Sequence, residues 1–360
     1  MFNLEVKISE KEKSYPIVIE NSSIKELKAE IEQYLGNSRF LVVVSEKVYK
    51  LYGKDLNIAR ENIFILKDGE KEKNFKTYQK ILDRALRMNL TRKDALIAIG
   101  GGVCGDITGF AAATYMRGIN YIQIPTTLLA CVDSSVGGKT GIDTVFGKNL
   151  VGAFYQPKAV IINANFLKTL DERQFKTGLG EVIKYSFIEK SCQCSQDYGL
   201  TNFLDLNFEK ILSYDLKTLQ ELICICLNLK ISVVEKDEKE GNLRKILNFG
   251  HTYGHAVERI TNYRKYTHGE AIVKGIEIAF DIAVKKKLID VNYKFIAQDL
   301  IKKFNFKSIR DYDVQKMVNL MKLDKKATLD DIIFVLPNGY STVIECKFSP
   351  EELFQILKSK

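Results

Sequence analysis

The chain has 360 residues, 46% hydrophobic and 28% charged with only 5 prolines, which excludes a disordered or low-complexity protein and leaves length for two ordinary domains with real cores. The formal charge is +9, but the lysines are scattered among acids (KDGEKEK, EKDEKE), which reads as solvated surface and argues against a nucleic-acid binder. No stretch approaches the ~20 apolar residues of a membrane helix, and the start MFNLEVKISEKEK lacks the apolar core of a signal peptide, so a cytoplasmic address without a membrane partner is expected.

In chain order, the first third alternates strand-like runs (LEVKI, YPIVI, FLVVVS, NIFIL, ALIAIGGG, YIQIP) with helical stretches such as SIKELKAEIEQYL and FKTYQKILDRALRM, the rhythm of a nucleotide-binding α/β domain. After ALIAI, residues Gly100, Gly102 and Gly105 satisfy G-x-G-x-x-G ahead of a helix-like ITGFAAATYM, an arrangement that lets backbone N–H groups approach a pyrophosphate. The acidic residue that usually follows about 20 positions later to hold a ribose is absent, which weakens an ordinary Rossmann dehydrogenase. The next block, PTTLLACVDSSVGGKTGIDTVFGKNLVGAF, reads as loop-rich and suited to polar, anionic ligands, with Lys139 and Lys148 inside it.

One more strand-like run, AVIINANF, precedes a long helical remainder. The expected fold is an α/β Rossmann-like domain over residues 1–170 and a mostly α-helical domain over 171–360. The stretch from FEKIL to EKDE reads as helical at long range, and SCQCSQDYGLTNF as an irregular loop. The seven cysteines contain no C-x-x-C pair and read as buried or indifferent thiols.

All three histidines, His251, His255 and His268, fall in one 18-residue window. His251 and His255 share a helix face, and His268 is expected in a loop before Gly269. A catalytic metal needs three protein ligands and an open position, so a carboxylate from elsewhere is required. Glu181, in the helix-like GEVIKYSF, is the choice, although spacing alone does not single it out from 45 acids. Lys184, Lys230 and Arg244 add a basic set suited to a carboxylated or phosphorylated substrate.

The segments GGGVCGDITGFAAATYMRG, IPTTLLACVDSSVGGKTGID, GKNLVGAFYQP, LGEVIKY, LRKILNFGHTYGHAVE and HGEA together resemble the 3-dehydroquinate synthases, from about Asp68 to Lys326. The resemblance implies an active site in the cleft between the two domains, with a metal triad of Glu181, His251 and His268 holding Zn2+ or Co2+ and His255 left to the substrate. It implies NAD contacts from Asp68, Gly69, Glu70, Lys71, Glu72 and Lys73, which supply the acid missing downstream. Further NAD contacts are implied from Gly102, Val103, Cys104, Gly105 and Asp106, from Thr126, Thr127, Lys139 and Lys148, and from Phe166, Leu167, Lys168 and Thr169.

On the substrate side the resemblance gives the phosphate to Lys139, Asn149, His255 and either Lys325 or Lys326, with Arg117 entering from a second subunit of a homodimer. It gives the carboxylate to Lys230 and Arg244, and the hydroxyls to Asp133, Lys184, Glu240 and Asn248. The implied reaction is redox-neutral: NAD+ oxidises a heptulosonate phosphate at C5, phosphate is eliminated, the hydride returns and an aldol step closes the ring. Other sugar-phosphate cyclases, making a valiolone or an inosose, share the glycine turn and triad, and a metal-dependent polyol dehydrogenase shares the architecture. Arg244 with Lys230 favours the carboxylated substrate.

Overall fold

A computed structural model of the chain describes residues 14–322 and 331–358. Its strands are β1 (Ile17–Glu20), β2 (Phe40–Ser45), β3 (Ile63–Leu66), β4 (Ala95–Gly100), β5 (Asn120–Pro125), β6 (Lys139–Thr144), β7 (Gly147–Phe154), β8 (Ala159–Asn163), β9 (Ile332–Gly339) and β10 (Thr342–Phe348). Six of them form one parallel sheet in the order β1-β8-β5-β4-β2-β3. Helices α1 (Leu27–Leu35), α2 (Glu46–Tyr52), α3 (Phe75–Arg87) and α4 (Gly102–Thr114) belong to this half.

The strands are continuous apolar runs because a parallel sheet is covered on both faces. In β2, Val42 and Val44 enter one apolar layer with Leu27 and Ile31, while Leu41 and Val43 enter the other with Ile107 and Ala111. The run LEVKI lies outside the described residues.

Beyond the sheet the chain turns helical: α5 (Glu172–Ile188), α6 (Leu200–Leu212), α7 (Leu216–Lys236), α8 (His251–Ile260), α9 (His268–Lys285), α10 (Val291–Lys303), α11 (Val314–Lys322) and α12 (Pro350–Lys358). Their apolar faces share one core, which includes Leu179, Leu222, Val257 and Ile276 and extends to Val160 and Ile162 on β8. Among the described residues no helix is long and apolar enough to cross a membrane.

Four local expectations are corrected. The loop-rich block is a π-helical turn at Ala130–Ser134 followed by the antiparallel hairpin β6–β7. Its glycines permit the pairing, since a Cβ on Gly152 would stand 2.0 Å from the Thr140 carbonyl oxygen. The helical stretch around FEKILSYDLKTLQ breaks at Ser213–Asp215, where Tyr214 has φ 60° and Asp215 caps α7 by accepting from Thr218 N–H. SCQCSQDYGLTNF is irregular only up to Gly199, after which α6 begins. Finally, His268 is the first residue of α9, not part of a loop, because Thr267 and Glu270 form a capping box around it.

Candidate active site

Three helices meet where glycines let their backbones touch. A Cβ on Gly180 of α5 would lie 2.5 Å from the Cα of Gly269 on α9, and one on Gly275 of α9 would lie 1.8 Å from the carbonyl oxygen of Gly250. Each glycine contact adjoins a polar residue, Glu181 and His268 at the first and His251 at the second. The consequence is a cluster in which one donor atom each from Glu181, His251 and His268 lies within 4.8 Å of the others. Glu181 Oε1 is 3.5 Å from His251 Nε2 and 3.2 Å from His268 Nε2. Ligand atoms roughly 2.0–2.2 Å from a tetrahedral ion stand about 3.3–3.6 Å apart, so the three residues fit a metal with a further position open to the cleft.

The electrostatics agree with a site arranged around positive charge. Burial pushes Glu181 up, but the Lys184 ammonium and the two imidazoles outweigh it and hold the carboxyl well below its usual range. Burial pushes His251 down to about 3 despite Glu181, with Lys184 and the other imidazoles adding to the effect. His268 moves the opposite way, up to about 10, because its hydrogen bonds to Glu181 and Glu258 override burial. The two histidines differ in what holds the other ring nitrogen: the Phe249 carbonyl at 3.0 Å for His251 and the Glu258 carboxylate at 3.4 Å for His268.

Around the cluster lies a cavity of about 1310 Å3. Its walls include Asp133, Lys139, Asn149, Lys184, Lys230, Glu240, Arg244, Asn248 and His255. Lys184 pairs with Glu181 and Lys139 with Glu240. Lys230 donates to both the carbonyl and the carboxylate of Asp133, and Tyr185 OH donates to the same carboxylate at 3.1 Å. Burial raises Asp133, yet Lys230 and Lys184 bring it down to about 2, so this aspartate is ionised. Arg244 is 2% exposed and donates to the carbonyls of Glu238 and Gly137, while its buried Nε has no hydrogen-bond partner among the described residues. A buried guanidinium with an unused donor suits an incoming carboxylate.

The opposite wall is made by the carboxyl ends of the parallel strands, the usual ligand side of such a sheet. Gly101, Gly102, Val103, Cys104 and Asp106 line it after β4, Asp68, Gly69, Glu70 and Lys73 after β3, Thr126 and Thr127 after β5, and Phe166 and Thr169 after β8. No side chain caps the start of α4 at Gly101, so its first N–H groups suit a pyrophosphate. Lys73 is buried and bonded to Asp106 and Asn149, and Lys148 lies 3.4 Å from Glu70 and over the Tyr263 ring at 4.3 Å. These links tie the strand-end wall to the β6–β7 hairpin and to the turn after α8.

Some expected residues do not line the cavity. Lys71, Glu72, Gly105, Leu167, Lys168 and Arg117 are not among its walls. Gly105 is buried one turn into α4, its carbonyl accepting from Tyr121 OH at 2.6 Å, and Leu167 packs in the core. Arg117 follows α4 at the end away from the glycine turn. Lys325 and Lys326 lie outside the described residues. Glu258, Tyr185, Arg259 and Tyr263 at or beside the cleft were not anticipated. The signal for Glu258 was available, since His251, His255 and Glu258 follow i, i+4, i+7 spacing on one helix face.

Two family models match in tandem, "3-dehydroquinate synthase N-terminal" over residues 63–177 and "3-dehydroquinate synthase C-terminal" over 178–327. The chain is 42% identical over 358 residues to the 3-dehydroquinate synthase of Dictyoglomus thermophilum, covering 99% of this chain and 98% of that one. Among solved structures, the 2-epi-5-epi-valiolone synthase of Streptomyces hygroscopicus subsp. jinggangensis with NAD+ and Zn2+ bound superposes with TM-score 0.85 at 22% identity, covering 98% of each chain. A 2-deoxy-scyllo-inosose synthase complexed with carbaglucose-6-phosphate, NAD+ and Co2+ gives TM-score 0.81 at 24% identity, covering 95% of this chain and 96% of that one. The structural likenesses establish the fold, the sequence matches establish the lineage, and the chain belongs to the 3-dehydroquinate synthase family of enzymes.

Proposed function

We propose that this enzyme converts 3-deoxy-D-arabino-heptulosonate 7-phosphate to 3-dehydroquinate and phosphate, a lyase step of the shikimate pathway, with NAD+ and one divalent metal, Zn2+ or Co2+. The observation that carries the reading is a single cavity lined by His251 and His268, with Glu181 buried directly behind them, and by the uncapped glycine turn and the buried Arg244. When bound, NAD+ supplies a hydride acceptor that later returns the hydride, and the cation supplies charge that acidifies a neighbouring hydroxyl.

The chain's own residues then bind and orient. Arg244 and Lys230 hold the substrate carboxylate, and Lys139, Asn149, His255 and one of Lys325 or Lys326 hold the phosphate. Asp133, Lys184, Glu240 and Asn248 position the hydroxyls. Once C5 is a carbonyl the adjacent C–H is acidified, and the substrate's own phosphate, held by these side chains, is placed to take that proton without a dedicated protein base. The NAD contacts are assigned to the strand-end residues that line the cavity.

We further propose a division near residue 170, into 1–170 and 171–360, supported by the end of the sheet at Asn163 and the start of α5 at Glu172. A cytoplasmic homodimer in which Arg117 serves the neighbouring subunit's cleft is the assembly proposed; Arg117 is absent from the walls of its own cavity. The test is turnover by chelator-treated protein with NAD+ and Zn2+ added singly and together. Phosphate and dehydroquinate only with both, and no accumulating NADH, support the synthase; net NADH contradicts it in favour of a dehydrogenase.

A further inference from the structure

We infer that Glu258 is a positioning residue for His268, fixing its tautomer and raising its strength as a ligand; this rests on the metal reading above. Glu258 is on α8, seven residues after His251 and three after His255, so the helix that brings one member of the cluster also brings a carboxylate to the back of another. Glu258 is 7% exposed, and its Oε1 lies 3.4 Å from His268 Nδ1, while His268 Nε2 faces Glu181 Oε1 at 3.2 Å. The imidazole is thus held between two carboxylates, one at each nitrogen.

With a cation beside Glu181, Nε2 must present its lone pair, and the single ring proton belongs on Nδ1. Only an acceptor can face that proton, and Glu258 is one. His251 reaches the same tautomer by a different route, with Nδ1 held at 3.0 Å by the Phe249 backbone carbonyl. A carboxylate polarises the ring more than a neutral carbonyl does, so the two imidazoles are unequal ligands and His268 is the stronger. Glu258 itself stays off the cation, because it contacts the nitrogen remote from Glu181.

The test measures Zn2+ affinity by competition with a chromophoric chelator, and the visible spectrum of the Co2+-loaded protein, for the full chain and for Glu258→Gln, Glu258→Leu and His268→Ala. Glu258→Gln keeps an acceptor but loses the charge, and Glu258→Leu loses both. Affinity should fall several-fold in the first and about 10–100-fold in the second, with altered Co2+ bands and unchanged melting of the metal-free proteins. Should Glu258→Leu melt early, Glu258→Gln alone decides. Wild-type affinity and spectrum in the Glu258 variants, with loss in His268→Ala, overturn the inference and leave the metal reading standing. Unchanged binding in His268→Ala as well overturns the metal reading itself.

Discussion

The metal corner and the strand-end wall face each other across one cleft but are built by different means. In the corner, Glu181, His251 and His268 come from three helices packed backbone to backbone at Gly180, Gly269, Gly250 and Gly275, so the arrangement of the three side chains follows from helix packing. The wall is made of turns after the parallel strands β3, β4, β5 and β8, held by pairs such as Glu70 with Lys148 and Lys73 with Asp106. The corner is therefore set by long-range packing and should fail abruptly when packing changes. The wall is set by several separate turns and side-chain pairs and should weaken by degrees as single pairs are removed.

The largest effect expected is from Glu181→Gln, which removes the negative charge of the side chain that faces both imidazoles of the corner. Loss of outer partners already costs ~10–100-fold in comparable sites, so turnover should fall by more than a hundredfold and bound metal should be lost, checked by steady-state kinetics with elemental analysis. Gly269→Ala places a methyl 2.3 Å from the Thr177 carbonyl oxygen and forces α5 and α9 apart. Overpacking of this kind costs about 1–3 kcal/mol, and both the melting temperature and the metal affinity should drop together; a variant that loses stability alone would break the link between helix packing and ligand geometry.

Arg244→Lys keeps the charge but loses the planar fork, and should raise KM for the heptulosonate phosphate about thirtyfold, corresponding to about 2 kcal/mol for a hydrogen bond to a charged group. On the wall, Lys148→Ala removes a partly exposed pair worth about 0–1 kcal/mol. Its KM for NAD+ should rise only a few-fold with no change in metal content, and a collapse of either would erase the contrast between the two regions.

Glu20, on edge strand β1, gives the smallest effect. Burial and the Glu30 carboxyl push it up to about 7 from 4.5. The folded state then holds its proton more tightly, so its stabilising contribution is complete below the unfolded value and is lost as pH rises towards 7. Glu20→Gln should flatten the melting temperature between those two pH values and leave both sides of the cleft unaltered.

The same contrast explains what the sequence made legible. The sheet and the glycine turn could be read because a buried parallel strand is a continuous apolar run and the turn is local chemistry. The hairpin β6–β7 was missed because its glycines and polar residues mimic a loop, and β9–β10 went unread although IIFVLPNG and TVIECKF are strand-like. In the corner the histidines were visible by their clustering. Glu181 was not separable from other acids by spacing, because what selects it is the approach of α5 to α9, which no local pattern encodes.

X-ray absorption at the zinc edge of the metal-loaded protein tests the central claim most directly. Two imidazole nitrogens and a carboxylate oxygen at about 2.0–2.2 Å are expected, with one imidazole lost in His268→Ala. Sulfur neighbours at about 2.3 Å, or a spectrum indifferent to that substitution, would contradict a metal centre at Glu181, His251 and His268.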